Sequence, residues 1–176
     1  KAMKLLMDAG FSSDVEMPEL TIYTSHDFLD MCEYIQHQLD KIGLKIKIED
    51  LPAVALREMV AKSQLGIFRK NWLADYPDAE NYLALFYSKN FTPAGPNYTH
   101  FSNKEYDRLY ERAFLETDDE KRFELYRKMD QIIIDEAPIV PLYYDKIIRI
   151  VQNNVSGLTT NPMNLLTLKK VRKKPD

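Results

Sequence analysis

A short stretch in the middle of the chain concentrates side chains that could hold a charged ligand. Asp75 offers a carboxylate, and Trp72, the only tryptophan, lies three positions before it. A carboxylate accepts charge-assisted hydrogen bonds from a cationic amine, and an indole packs against a ligand side chain or backbone. Arg69 and Tyr76 lie in the same stretch. These four residues are the candidate binding residues.

The stretch lies where a predicted strand gives way to a predicted helix. An apolar run at residues 65–68 leads into it, and a helix-like pattern at residues 82–86 follows. Open α/β sheets bind ligands at the carboxyl ends of their strands, so this position favours a binding role. A plainer alternative is that Asp75 or Asp78 only caps the helix while Trp72 belongs to the core.

The residues of this stretch also resemble a known family. Residues 72–83 read Trp-x-Ala-Asp-Tyr-Pro-Asp-x-x-Asn-Tyr-Leu, which resembles the signature of the family 5 extracellular solute-binding proteins. These are the dipeptide- and oligopeptide-binding components of ABC importers. Residues 1–11, 97–109 and 139–144 resemble the same family in the same order. Ala79 is a departure, because the family usually has a second proline there.

The resemblance assigns roles to the candidate residues Asp75, Trp72 and Arg69. It implies that Asp75 binds the free α-amino group of a peptide and that Trp72 lines a side-chain pocket. Arg69 would help to hold the carboxyl end of the ligand, with a solvated surface arginine as the alternative. Apart from the resemblance, Tyr76 either flanks the cleft or packs at the edge of the sheet. On a regular strand the alternation of side chains would turn Arg69 and Trp72 to opposite faces, so a bulge or a change of chain direction would be needed to bring both into reach.

The resemblance also implies an architecture. We expect an α/β fold, one lobe of a type II periplasmic-binding-protein-like fold with a mixed sheet flanked by helices. Residues 1–137 would form the smaller, ligand-binding lobe. Residues 138–176 would be a returning segment that joins the larger lobe, so the missing amino-terminal lobe of the same protein is an expected partner.

The expected function is peptide capture for an ABC permease in the membrane, without enzymatic activity or a cofactor. The location would be periplasmic or at the cell surface, with a possible lipid anchor in an absent amino-terminal part. Three alternatives stay open. These are a non-peptide solute such as an oligosaccharide, a nickel chelate or haem; a hydrolase using Asp75 and Asp78 as an acid pair; and a module that only contacts other proteins.

Composition narrows the function classes further. A net charge of −3 over 176 residues gives no reason to expect nucleic acid as a partner. Cys32 is the single cysteine, so no internal disulfide can form, and its place on an apolar helix face predicts a buried thiol. Glu33 and His37 lie four residues apart, but with few other ligands nearby we expect no metal site.

The spacing of apolar residues predicts the helices and strands that position the candidate residues. It predicts a strand at residues 20–24, a helix capped by Ser25 or Asp27, and a second strand at residues 44–48. A strand–helix–strand unit of this kind predicts a right-handed crossover between parallel strands. Another helix follows Pro52, and the strand leading into Trp72 comes next.

The second half of the chain predicts two helices and a β-rich end. The helices would begin at capping boxes, Ser102-x-x-Glu105 and Thr117-x-x-Glu120. Pro138 would end the second helix. Residues 142–144 and 147–151 are rich in tyrosine and isoleucine and predict strands.

Overall fold

The computed structural model describes residues 1–11 and 17–175. Packing divides them into two compact units. The first unit contains Lys1–Asn71 and Thr92–Tyr98, and the second contains Trp72–Phe91 and the chain from Thr99 onward. The division at residue 137 that the sequence suggested concerns a lobe boundary in a larger protein, and it stays a prediction.

A small parallel sheet organises the first unit. Its strands are β1 (Leu20–Thr24), β2 (Ile46–Asp50) and β3 (Ile67–Phe68), in the order β2-β1-β3. Both neighbours of β1 run parallel to it, and Ile22 is opposite Ile48 on one side and Ile67 on the other. The predicted parallel strand–helix–strand arrangement is confirmed, and so is the α/β class.

Three helices belong to the first unit: α1 (Ala2–Asp8), α2 (Leu29–Asp40) and α3 (Ala53–Ala61). The apolar face of α2 buries Cys32 against the sheet residues Ile22 and Ile46. The thiol of Cys32 is therefore enclosed, as the sequence predicted. A second cluster forms where α3 packs Leu56 and Val60 against Leu65.

The predicted cap of α2 is wrong. A 3₁₀ turn, His26–Phe28, separates β1 from α2, and no side chain caps the start of either helical segment. The turn moves the first α-helical residue to Leu29, so the Ser25 side chain lies one turn too early to reach the amides of α2.

Helices dominate the second unit. They are α4 (Glu80–Leu83), α5 (Lys104–Leu115) and α6 (Asp119–Glu136), with 3₁₀ turns at Ala84–Phe86 and Ser88–Asn90. Tyr106 of α5 and Met129 of α6 are fully buried in one apolar cluster, which α4 joins through Leu83. No helix in the described ranges combines the length and the apolar character needed to cross a membrane.

The capping residues of α5 and α6 each lie one position after the residue that the capping-box pattern predicted, Ser102 for α5 and Thr117 for α6. Asn103, not Ser102, caps α5, and its side chain accepts hydrogen bonds from the amides of Glu105 (2.9 Å) and Tyr106 (3.0 Å). Asp118 caps α6 in the same way and accepts from the Lys121 amide at 3.2 Å. Asn, Asp, Ser and Thr all serve as caps, so adjacent candidates leave the register open by one position.

The strands predicted at residues 142–144 and 147–151 are wrong. Among the residues described after α6, the strands are β4 (Val155–Ser156) and β5 (Arg172–Lys173), which pair antiparallel. Residues 141–150 have neither helix nor strand, and the side chains of Ile148 and Ile150 are 86% and 96% exposed. A β-rich sequence forms a strand only where a neighbouring backbone pairs with it.

Candidate ligand-binding site

The candidate residues lie on an irregular segment between β3 and α4, residues 69–79. At its start the Arg69 amide donates to the Tyr23 carbonyl at 2.9 Å, beside the last β1–β3 pair, Tyr23 with Phe68. The strand itself ends at Phe68, so it does not run into Trp72 as predicted. The alternation of a regular strand therefore does not apply to Arg69 and Trp72.

A buried asparagine connects Trp72 to Asp75. Asn81, the second residue of α4, is 5% exposed, and its Oδ1 accepts the indole Nε1–H of Trp72 at 2.7 Å. The same oxygen accepts the backbone amide of Asp75 at 3.3 Å. Trp72 is half-buried, and its polar edge points to Asn81. The structure thus brings two of the four candidate residues to one acceptor atom.

The carboxylate of Asp75 faces solvent. The residue is exposed, and within the described part of the chain its side chain has no hydrogen-bond or ion-pair partner. Its backbone amide, by contrast, is held by Asn81. An exposed carboxylate on a fixed backbone can accept hydrogen bonds from a cationic group without first losing an internal partner.

The side chain of Tyr76 is hydrogen-bonded to Glu80, not to Asp75. Its hydroxyl donates a hydrogen bond to Glu80, and the hydroxyl of Tyr110 donates another to the second oxygen of the same carboxylate. The bond to Glu80 is the main cause that raises the pKa of Tyr76, with burial second, while the side chain of Asn81 acts in the opposite direction. Burial, followed by the bond to Glu80, raises the pKa of Tyr110.

Asp78 has a structural role. Its Oδ1 accepts the amide of Glu80, the first residue of α4, at 2.9 Å. Its Oδ2 forms an ion pair with Nη1 of Arg122 on α6, also at 2.9 Å, and each side chain of the pair is 27% exposed. The cap position of α4 is Ala79, which has no side-chain cap bond, and Asp78 binds the first amide of α4 from one residue earlier. An acid engaged in this way is poorly suited to the acid pair that a hydrolase would need.

Arg69 lies in the first unit and has partners there. Its guanidinium carbon is 3.1 Å from the ring centroid of Phe28, a cation–π arrangement. Its Nη1 donates to the side-chain oxygen of Asn71 at 3.4 Å, a long hydrogen bond. The other three candidate residues belong to the second unit.

Sequence reasoning assigned no role to Asn81, Glu80 or Arg122. Asn81 lies within the signature at residues 72–83, so the signal for it was present. Arg122 had no comparable signal, because 44 residues separate it from Asp78. Among the described residues no group of three or more His, Cys, Asp or Glu side chains could hold a metal ion.

The first half of the sequence identifies the family. Residues 1–93 match the profile of the bacterial extracellular solute-binding proteins, family 5, middle part. The chain belongs to this family. It is 28% identical over 171 residues to the dipeptide-binding protein DppE of Bacillus subtilis, and the match covers 94% of this chain and 31% of DppE. The glutathione-binding protein GsiB of Salmonella typhimurium is 29% identical, with 92% of this chain and 33% of that protein covered.

Solved structures of similar proteins share the fold. The murein tripeptide-binding protein MppA of Escherichia coli superposes with a TM-score of 0.82 at 20% identity, over 98% of this chain and 34% of MppA. The periplasmic binding protein DppA of Helicobacter pylori, solved with a peptide, gives a TM-score of 0.72 at 28% identity, over 80% of this chain and 28% of DppA. The fold is that of type II periplasmic binding proteins. This family 5 chain spans about a third of the length of the curated relatives it matches.

Proposed function

We propose that this chain is part of the substrate-binding component of an ABC importer and captures peptides by their free amino end. The observation that carries the proposal is the solvent-facing carboxylate of Asp75, beside an indole that Asn81 holds by its polar edge. Family membership supports a solute-binding role without catalysis. Relatives named as dipeptide-, oligopeptide- and glutathione-binding proteins support a peptide as the solute.

The proposed contact is between the ligand ammonium and the carboxylate of Asp75. A hydrogen bond to a charged group contributes about 1.5–3 kcal/mol, and it strengthens when a closing site excludes water. The half-buried indole of Trp72 offers an apolar surface for the ligand backbone or a side chain. Main-chain contacts and water in roomy pockets would accommodate peptides of varied sequence.

Arg69 and Tyr76 have secondary roles in the proposal. Arg69 would bind the carboxyl end of the ligand after leaving the ring of Phe28, against which its guanidinium lies. The hydroxyl of Tyr76 is engaged with Glu80, so this side chain would contribute its ring to the wall of the cleft. The Arg69 role comes from the family resemblance, and both roles stay proposals.

The complete protein would have a second lobe, a membrane permease as its partner, and a location in the periplasm or at the cell surface. In this proposal residues 138–176 return to the larger lobe. Their exposed apolar side chains support it, because a soluble protein rarely leaves many large apolar side chains uncovered together. The exposed apolar residues concerned are Ile139, Val140, Leu142, Tyr143, Tyr144, Ile147, Ile148, Ile150, Val151, Leu165, Leu166 and Leu168. Attachment by a lipid anchor stays a prediction.

Calorimetry on the complete binding protein tests the role of Asp75. We expect Asp75→Asn to weaken binding of a free-amino peptide by about 1.5–3 kcal/mol, which is about 10- to 150-fold in Kd. The same peptide with an acetylated amino end is the control, since it carries no ammonium and should bind both proteins equally weakly. An unchanged affinity of Asp75→Asn for the free-amino peptide would remove Asp75 from the site.

Mass spectrometry of the purified protein should also detect co-purified peptides, and a non-peptide solute in their place would contradict the proposal.

A further inference from the structure

Asn81 is a buried polar side chain that the proposed binding contacts do not use. It is 5% exposed, and its backbone is fixed by the hydrogen bond from its amide to the Asp78 carbonyl at 3.2 Å. Buried amide groups in folded proteins almost always have hydrogen-bond partners. The partners of Asn81 Oδ1 are Trp72 and Asp75, which are both candidate ligand-binding residues.

The two bonds differ in strength. The indole N–H of Trp72 lies 2.7 Å from Oδ1, at the short end of the normal range, whereas the amide of Asp75 is 3.3 Å away. The indole is therefore the principal partner. Because one oxygen receives both donors, movement of the Asn81 side chain would affect the indole and the Asp75 backbone together.

The surroundings of Asn81 hold it in place. Asp78 accepts the Glu80 amide and binds Arg122 of α6, so the first turn of α4 is tied to a long helix. Glu80, next to Asn81, receives the phenols of Tyr76 and Tyr110. Asn81 therefore presents its oxygen from a supported position, as a residue that orients other side chains must.

The segment that carries the candidate residues has no regular secondary structure. Residues 69–79 form neither helix nor strand, so backbone ladders do not fix Trp72 or Asp75. Side-chain hydrogen bonds can supply that order. The two bonds to Asn81 meet this need.

We propose that Asn81 is the positioning residue of this site: its amide oxygen holds the Trp72 indole and the Asp75 backbone in the arrangement in which the Asp75 carboxylate meets the ligand. The proposal rests on the proposed function for its ligand part. Asn81 itself touches no ligand. Its removal should weaken binding through Trp72 and Asp75 while leaving their side chains present.

The first experiment needs no ligand and uses the chain described above. Trp72 is the only tryptophan, so an NMR spectrum of the ¹⁵N-labelled chain contains one indole N–H signal. In Asn81→Leu we expect this proton signal to move upfield and to exchange faster with water, because the indole loses its acceptor. Asn81→Asp keeps an acceptor oxygen and should leave the signal hydrogen-bonded.

Asn90 offers a matched control in the same unit. Its side chain donates to the Ala84 carbonyl at 2.9 Å, and among the described residues it has no hydrogen bond to Trp72 or Asp75. Asn90→Leu removes an amide of the same size near α4, so it should leave the indole signal unchanged. An indole signal that is unaltered in Asn81→Leu, or altered equally in Asn90→Leu, would overturn the positioning role.

The second experiment measures ligand preference in the complete binding protein, with a free-amino peptide and its acetylated form. We expect Asn81→Leu to reduce the preference for the free amino end about tenfold, equivalent to about 1.4 kcal/mol. Asn81→Asp should restore most of it. If Asp75→Asn loses the preference and Asn81→Leu keeps it, the positioning role is wrong and the proposed function stands. If Asp75→Asn keeps the preference, the proposed function itself is wrong, and the ligand part of this inference with it.

Discussion

Asp75 and Asp78 lie three positions apart and have opposite environments. Asp75 is exposed, and its carboxylate has no partner in the described part of the chain. Asp78 is half-buried and accepts both a helix amide and an arginine. A free carboxylate can bind a ligand cation, whereas a carboxylate that is already paired stabilises the fold. The difference between the two acids is therefore one of partners, not of residue type.

The role of Asp78 can be measured by stability. Because Asp78→Ala removes the acceptor for the Glu80 amide and leaves the half-buried Arg122 with one partner fewer, we expect a loss of about 1–3 kcal/mol in the free energy of unfolding. Urea unfolding followed by circular dichroism would measure it.

Asp119 provides the control for that substitution. It binds the same Arg122 at 2.9 Å, but its side chain is 73% exposed. Solvent screening leaves such a pair a contribution of about 0–1 kcal/mol, so Asp119→Ala should change stability little. Equal effects of the two substitutions would mean that the Asp78 contacts do not stabilise α4.

At the level of elements, the helix starts show how finely side-chain position decides a cap. Asn103 has an extended backbone, and its side-chain oxygen receives two amides of α5. Ser102 matches the capping-box pattern but comes one residue earlier. A capping side chain accepts hydrogen bonds from the amides two or three residues after it. A residue one position earlier is therefore out of place to cap the helix.

This difference gives a paired prediction for α5. Asn103→Ala should cost about 0.5–2 kcal/mol of stability, the usual effect of losing a cap. Ser102→Ala should stay within about 0.5 kcal/mol, as expected for a surface substitution. Thermal unfolding of the two variants would measure both effects. A larger loss for Ser102→Ala would place the cap where the sequence pattern put it.

At the scale of the whole molecule, the tyrosines of the second unit link its stability to pH. The pKa is raised in five of them, Tyr76, Tyr87, Tyr106, Tyr110 and Tyr126. For Tyr126, burial is the main cause and the hydrogen bond with Asp78 the second, and they raise the pKa from 10.0 to about 12. The folded state therefore favours the protonated phenols.

The sign of the pH effect follows from these shifts. An unfolded tyrosine ionises near its ordinary pKa of 10.0, below the pKa of about 12 for folded Tyr126. The contribution of the tyrosines with a raised pKa to the free energy of unfolding is thus complete below pH 10. It is lost as the pH rises through the pKa values that these tyrosines have in the folded state. We expect an alkaline transition in which tyrosinate absorbance and helix loss appear together. Ionisation of all eleven tyrosines near pH 10 with the helices intact would contradict it.

Hydrogen exchange tests the carboxyl-terminal segment. Residues 141–150 have neither helix nor strand, and most of their apolar side chains are exposed. Amides without stable hydrogen bonds exchange rapidly, so we expect fast exchange across residues 142–151 in the isolated chain and slower exchange in the complete protein. Uniformly slow exchange across residues 142–168 in a monomer of this chain would show that the segment is already packed and needs no further lobe.

Local sequence pattern determined much of this protein. The strand β1, the apolar stripe of α2 and the burial of Cys32 were predicted, because the periods of strands and helices repeat within a few residues. The strand β2 begins two residues later than predicted, at Ile46. The family signature at residues 72–83 likewise pointed to the segment that carries Trp72 and Asp75, and the family profile covers it.

Tertiary structure decided which partner each of these residues has. The oxygen that joins Trp72 to Asp75 belongs to Asn81, in the same signature but on the helix that follows, and the arginine that binds Asp78 is 44 residues away. The absence of strands at residues 142–144 and 147–151 has the same origin, since β-rich sequence there lacks a neighbouring backbone. Periodicity is a property of neighbours along the chain, whereas hydrogen-bond partners depend on which distant groups folding brings within about 3 Å.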